Sequence, residues 1–190
     1  MHRTPGWLMA AFDATIRPLL WDPCKIVGPH LEPGRAVADI GCGAGYYAPA
    51  LSSLIGADGE LFLVDVQEDM LERAMKRVGS DPQAEAQVAP VLTDGDSFDL
   101  PRRVDFALMS WMLHEVERPE LLWRSVHEHL RPGGQALVIE PRVHVRRRKF
   151  DEEMAPAADL GFRVERTNGI FFCRVCVATK PERTTERDQS

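Results

Sequence analysis

No stretch of this 190-residue chain is apolar and long enough to read as a membrane-spanning helix. Its one N-terminal apolar run, Trp7 to Phe12, is broken by Asp13 and lacks a small-residue cleavage pattern, so it does not read as a signal peptide. A cytoplasmic protein is the resulting expectation. Cysteine is equally scarce. Cys24, Cys42, Cys173 and Cys176 are too few for a disulfide scaffold at this length. Cys173-x-x-Cys176 has a metal-like spacing, yet it lies in the β-rich run IFFCRVCVAT, where residues three apart face opposite sides of a sheet. No second pair completes a zinc site, so no metal is expected. Cationic excess is missing too: a net charge of -6 argues against broad attraction to nucleic acid or anionic membrane, though not against a local basic patch. Internal repeats and low-complexity segments are absent.

What is present is ordinary for a globular chain, 44% apolar and 27% charged. The length suits one domain, expected over residues 1–180, with residues 1–30 as a helical N-terminal segment. Trp7, Leu8, Ala11, Phe12, Ile16 and Leu19 recur at helical spacing there. That helix is a candidate cover for a cleft, with packing on the flank of a sheet as the alternative. Residues 181–190 lack large apolar side chains and read as a disordered tail.

The organising stretch is AVADIGCGAG, Ala36 to Gly45. Val37 and Ile40 flank Asp39 as in a buried parallel strand that ends in an acid. Gly41, Gly43 and Gly45 then permit a tight turn and close approach of bare backbone to a ligand. A strand, a glycine turn and a helix start together read as a nucleotide-type cofactor site. Dinucleotide enzymes usually show G-x-G-x-x-G facing a pyrophosphate. Here the spacing differs, and Asp39 suits an ammonium or hydroxyl while repelling phosphate.

The next strand, Glu60 to Asp65, is apolar and again closed by an acid. At 20 residues beyond Gly45, Asp65 is placed to accept both ribose hydroxyls. A helix follows, with Met70, Leu71, Ala74, Met75 and Val78 on one face. Gln87 to Thr93 contains Pro90 and is expected at a sheet edge. Val104 to Ser110 is a clean buried strand, Pro119 opens a helix, and Pro132-Gly133-Gly134 closes it before a strand from Gln135. Arg142, Arg146, Arg147, Arg148 and Lys149 make a basic run, followed by a helix over Phe150 to Leu160. Phe162 to Thr167 and Ile170 to Thr179 form a hairpin about Asn168-Gly169. The pattern predicts an α/β fold: a Rossmann-like, doubly wound, seven-stranded sheet, mostly parallel, with an antiparallel C-terminal hairpin.

VADIGCGAG resembles motif I of the class I S-adenosylmethionine-dependent methyltransferases, and MLHEV…LRPGGQALVIEP resembles their later motifs, particularly in the ubiquinone/menaquinone-biosynthesis-like branch. The resemblance runs from about Pro23 to Lys180 with four motifs in order. It implies S-adenosyl-L-methionine as cofactor, S-adenosyl-L-homocysteine as product, and a small-molecule acceptor. Asp39, Gly41, Cys42, Gly43 and Gly45 would then hold the methionine moiety, Asp65 and Val66 the ribose side, and Ser110 would line the methionine end. GDSFDLP resembles the family stretch that binds adenine, which points to Asp96 and the Ser97 N–H, with Asp94 as a competing acceptor. His114 follows the fourth strand and is a candidate general base, the alternative being a helical turn bonded to backbone. Rival functions are a catalytically silent subunit that uses the cofactor fold as a partner-binding scaffold, and an NAD or nucleotide-sugar enzyme, which the glycine spacing disfavours.

Overall fold

The computed structural model describes residues 21–167 and 170–182. The expected N-terminal helix, the Asn168-Gly169 turn and most of the tail lie outside the described residues. Seven strands form one sheet in the order β3-β2-β1-β4-β5-β7-β6. They are β1 (Ala36–Ile40), β2 (Glu60–Asp65), β3 (Gln87–Leu92), β4 (Val104–Ser110), β5 (Leu130–Pro141), β6 (Arg163–Thr167) and β7 (Cys173–Thr179). β1 to β5 pair in parallel, and β7 runs antiparallel to both β5 and β6. β3, with Pro90 opposite Leu63, is an edge strand, as the missing donor requires.

Alternation along the strands gives each face of the sheet its own core. One face carries Ala36, Ala38, Ile40, Phe62 and Val64, packed against Trp123 and Val126 of α4 (Pro119–His129) and Phe150 and Met154 of α5 (Arg147–Asp159). The other carries Val37, Leu61, Leu63, Phe106 and Leu108, packed against α1 (Pro23–Val27), α2 (Ala48–Ile55) and α3 (Glu68–Gly79). Cys173 and Cys176 fall on opposite faces, both buried, which removes the metal-like reading of their spacing. The Cys176 thiol is pushed up to about 11 by burial.

Three boundaries depart from the sequence pattern by more than two residues. β7 begins at Cys173 rather than Ile170, because Ile170 to Phe172 form a turn closed by the Cys173 N–H on Ile170 O at 3.1 Å. β5 begins at Leu130 rather than Gln135, because Gly133 and Gly134 exchange backbone hydrogen bonds of 2.9 Å with Lys180 at the end of β7. Gly134 is also packed so closely that a Cβ there would meet Asp105 O at 2.9 Å. Likewise α5 starts at Arg147 rather than Phe150, so its first turn contains cations and no acid.

β1 and β4 are adjacent and lie where the strand order reverses. In open sheets of this kind the crevice beyond the carboxyl ends of such strands is the ligand site. Among the described residues no helix is long and apolar enough to cross a membrane.

Candidate functional site

A cleft of about 330 Å³ opens at that reversal, a volume suited to a small-molecule ligand. Its floor is the glycine turn. Gly41, Gly43 and Gly45 all adopt positive φ, at 67°, 52° and 74°. Added side chains at two of them would collide: a Cβ on Gly41 would meet Met112 Cγ at 2.7 Å, and one on Gly45 would meet Ala74 Cα at 2.8 Å. At Gly43 a Cβ would meet nothing within 4 Å. Gly41 and Gly45 therefore serve close packing of the turn, and Gly43 keeps space open in the cleft.

Asp65 closes the turn from β2. Its Oδ2 accepts the Gly43 N–H at 2.8 Å and its Oδ1 accepts the Gln67 N–H at 3.0 Å. The side chain is buried, not the surface acid that its position at a strand end suggests. Burial holds its carboxyl above the ordinary range, against the lowering effect of those backbone N–H groups. A carboxylate offers about four acceptor positions, so two remain for a ligand.

The structure gathers every expected cofactor residue into this cleft: Asp39, Gly41, Cys42, Gly43, Asp65, Val66, Asp96, Ser97 and Ser110 line it, with Gly45 in the turn beneath. Asp39 is buried at the end of β1. Cys42 is buried beside Asp39 and Asp65, and desolvation with those two charges pushes its thiol far up, which leaves it inert as a nucleophile. Asp96 is held from outside: Arg118 donates to it from its backbone N–H at 3.1 Å and from Nε at 2.6 Å. The Arg118 hydrogen bond keeps its carboxyl below the ordinary range. Asp94, the competing acceptor, lines the same wall.

His114 is the exception. It is not among the lining residues. Its Nδ1–H donates to Glu140 Oε2 at 2.6 Å, while Glu140 Oε1 accepts the Leu113 N–H at 2.8 Å. Burial alone would lower the imidazole's pKa, but the hydrogen bond and charge of Glu140 outweigh it and hold it above its usual value. His144 stacks on the ring with centroids 6.3 Å apart. Glu153, fully buried on α5, has Lys149 Nζ at 3.3 Å, and burial raises its carboxyl. The imidazole is tied to Glu140 of β5, while its neighbours Met112, Glu115 and Val116 line the cleft.

That segment is the cleft's far wall. Trp111 sits at φ 60°, in the left-handed region that bulky residues avoid at a cost of about 1–3 kcal/mol. Its N–H bonds Ile139 O at 2.8 Å, and its ring meets Trp21 edge-on at 5.7 Å. Trp111 and Met112 read from the sequence as lining a pocket or the core, and both line the cleft, whereas Glu140 was not singled out. Glu140 had a usable signal, since VIEP ends a buried strand in an acid just as VADI and LVD nearly do.

The wall chemistry is one-sided. Asp39, Asp65, Asp94, Asp96, Glu115 and Glu117 line the cleft, and among the described residues no lysine, arginine or histidine does. Such a lining favours a cation and disfavours a pyrophosphate.

A model of the methyltransferase domain matches residues 37–134, just over half of the chain. A ubiquinone/menaquinone biosynthesis C-methyltransferase of Ectopseudomonas mendocina is 30% identical over 122 residues, covering 64% of this chain and 47% of that protein. A demethylmenaquinone methyltransferase of Symbiobacterium thermophilum is 26% identical over 123 residues, covering 63% and 48%. The chain spans about half the length of these curated relatives. Among solved structures, a SAM-dependent methyltransferase of Aquifex aeolicus superposes with a TM-score of 0.79 at 25% identity, over 93% of this chain and 99% of that one. The fold, the acid-lined cleft on its glycine turn and these matches agree: the chain belongs to the methyltransferase domain family, among the class I S-adenosylmethionine-dependent methyltransferases.

Proposed function

We propose that the cleft binds S-adenosylmethionine and that the chain transfers its methyl group to a small-molecule acceptor. The single observation that carries this reading is a lining of six acids and, among the described residues, no cation, with Asp96 paired to Arg118 from outside, over a glycine turn that leaves Gly43 open to a ligand. S-adenosylmethionine is a net cation at neutral pH and fits that field, whereas a dinucleotide pyrophosphate does not.

In this reading Asp39 and the turn backbone from Gly41 to Gly45 hold the methionine end, and Asp65 takes the ribose hydroxyls on its two remaining acceptor positions, with Val66 beside it. Asp96, braced by Arg118, and the Ser97 N–H take the adenine, with Ser110 near the methionine end. When bound, S-adenosylmethionine supplies an electrophilic methyl carbon on a positively charged sulfur. The chain's own part is to align and to exclude water. Trp111 and Met112 close the cleft beside Ser110, and the His114–Glu140 pair keeps that wall in place.

The test is mass-spectrometric detection of S-adenosylhomocysteine release with a panel of acceptors. The names of the relatives put quinone-type ring carbons first in that panel, followed by phenolic oxygens, amines and thiols. Acceptor-dependent release is the expected result. Tight cofactor binding with no release across the panel favours the silent-scaffold alternative.

A further inference from the structure

Among the described residues four large apolar side chains stand exposed: Leu92, Val143, Phe171 and Phe172. Leu92 ends the edge strand β3, but the other three meet at one place. Pro141 at the end of β5 is paired with Cys173 at the start of β7, so the segments on either side of that pair run together. The Arg142 N–H donates to Phe172 O and its Nε to Cys173 O, each at 2.9 Å, while Arg174 Nε bonds Val145 O at 2.9 Å. Val143 is 76% exposed, Phe171 62% and Phe172 56%. The two phenyl rings sit edge to face at 4.3 Å.

Phe172 holds φ at 56°, an unfavourable value for an aromatic residue. That conformation belongs to a tight turn closed by the Cys173 N–H on Ile170 O at 3.1 Å, which carries both phenyl rings out into solvent. Beside it lies the basic run: Arg142, Arg146, Arg147, Arg148 and Lys149 are all exposed. Three of these cations occupy the first turn of α5, where the helix dipole opposes them. Of the nearby acids Asp151 pairs with Arg166, while Glu152 and Glu153 pair with Arg148 at 3.5 Å and Lys149 at 3.3 Å, so acids one turn on match two of the five cations. In a chain of net charge -6 this is a local reversal of sign around an apolar tip.

We propose that this tip, Val143 with Phe171 and Phe172 inside a collar of arginines, docks on an anionic lipid bilayer. Exposed aromatic rings settle at the headgroup level of a membrane, and a basic collar is drawn to anionic lipid. An acidic polypeptide matches the collar alone and leaves the rings unexplained. The tip also adjoins the cleft: Trp21 Nε1 donates to Phe171 O at 2.9 Å, and Trp21 packs on Trp111 of the cleft wall. Docking therefore brings the cleft's Trp111 side toward the lipid surface, whatever the cleft binds.

The experiment is co-sedimentation of the full chain with vesicles of phosphatidylcholine alone and of an equimolar phosphatidylcholine–phosphatidylglycerol mixture. The chain is expected to pellet with the mixed vesicles at low salt and to remain in solution with phosphatidylcholine. Arg146→Glu, Arg147→Glu and Arg148→Glu combined should weaken binding roughly tenfold or more. Phe171→Ser with Phe172→Ser, which leaves the charge unchanged, should also weaken it by about tenfold. Both variants replace exposed side chains, and unaltered thermal unfolding checks that they fold. Failure of the wild type to pellet overturns the proposal. So does binding that the phenylalanine variant retains in full, or equal affinity for polyglutamate, because either reduces the collar to a generic cation patch.

Discussion

Two buried acids at the ends of parallel strands have different partners in this fold, and the contrast explains the site. Asp65 ends β2 and Glu140 lies one residue before the end of β5, each after an apolar run. Asp65 faces the glycine turn and lines the cleft, with both oxygens on backbone N–H groups of loops that a ligand would touch. Glu140 lies outside the cleft lining and spends its oxygens on Leu113 N–H and His114. What separates them is the loop opposite. A glycine turn leaves room beside the acid for a ligand, whereas a loop carrying an imidazole fills that room with protein.

Breaking the first acid should have the largest effect. Asp65→Ala removes the proposed ribose acceptor and the partner of Gly43 and Gln67. Each of the two charge-assisted hydrogen bonds lost contributes roughly 1.5–3 kcal/mol, so affinity for S-adenosylhomocysteine should fall by about a hundred- to ten-thousandfold in calorimetric titration. Because the acid is buried and closes the turn, the thermal midpoint should fall as well; Asp65→Asn, which keeps one acceptor oxygen, should retain more stability than affinity. Intact affinity in the alanine variant would remove Asp65 from the ligand site.

Breaking the second acid should give the opposite split. Glu140→Ala strands the Leu113 N–H and unpairs His114, a loss of about 2–4 kcal/mol of stability in chemical denaturation. Cofactor affinity should change less than about tenfold, since no cofactor contact is removed. A large affinity loss with unchanged stability would place Glu140 in the site and contradict the comparison.

Gly43→Ala probes the open space directly. Its Cβ meets no protein atom but imposes a side chain at φ 52°, so affinity should fall about tenfold, from strain and from crowding of the ligand. Gly45→Ala should instead destabilise the fold, because its Cβ strikes the α3 backbone at Ala74.

The smallest effect is a pH dependence. The His114 imidazole is held above its usual 6.5, so the folded state binds that proton more tightly than the unfolded state. The stabilisation is complete below about pH 6.5 and is lost as pH rises through the folded value. His114→Gln should therefore narrow its stability gap to the wild type as pH rises, while lowering turnover less than about tenfold. A hundredfold loss of turnover with an altered pH profile would instead make His114 the general base.

The sheet and the glycine turn were legible because their signals are local. β1, β2 and β4 are short apolar runs, and Gly41, Gly43 and Gly45 stand where positive φ is needed. The His114–Glu140 pair was not legible, because its partners are 26 residues apart and meet only when β4 and β5 pair. The start of α5 was missed because cations in a first turn contradict the capping pattern that marks helix starts. Pro132-Gly133-Gly134 read as a stop because its strand partner, Lys180, lies at the far end of the chain.

The central claim is that an acid-lined cleft over a glycine turn is a seat for the methyl donor and not for a dinucleotide. Calorimetric titration of the wild-type chain with S-adenosylhomocysteine and, separately, with NADH tests it most directly. The account predicts saturable binding of S-adenosylhomocysteine and no measurable heat with NADH. Tight NADH binding without S-adenosylhomocysteine binding would contradict it.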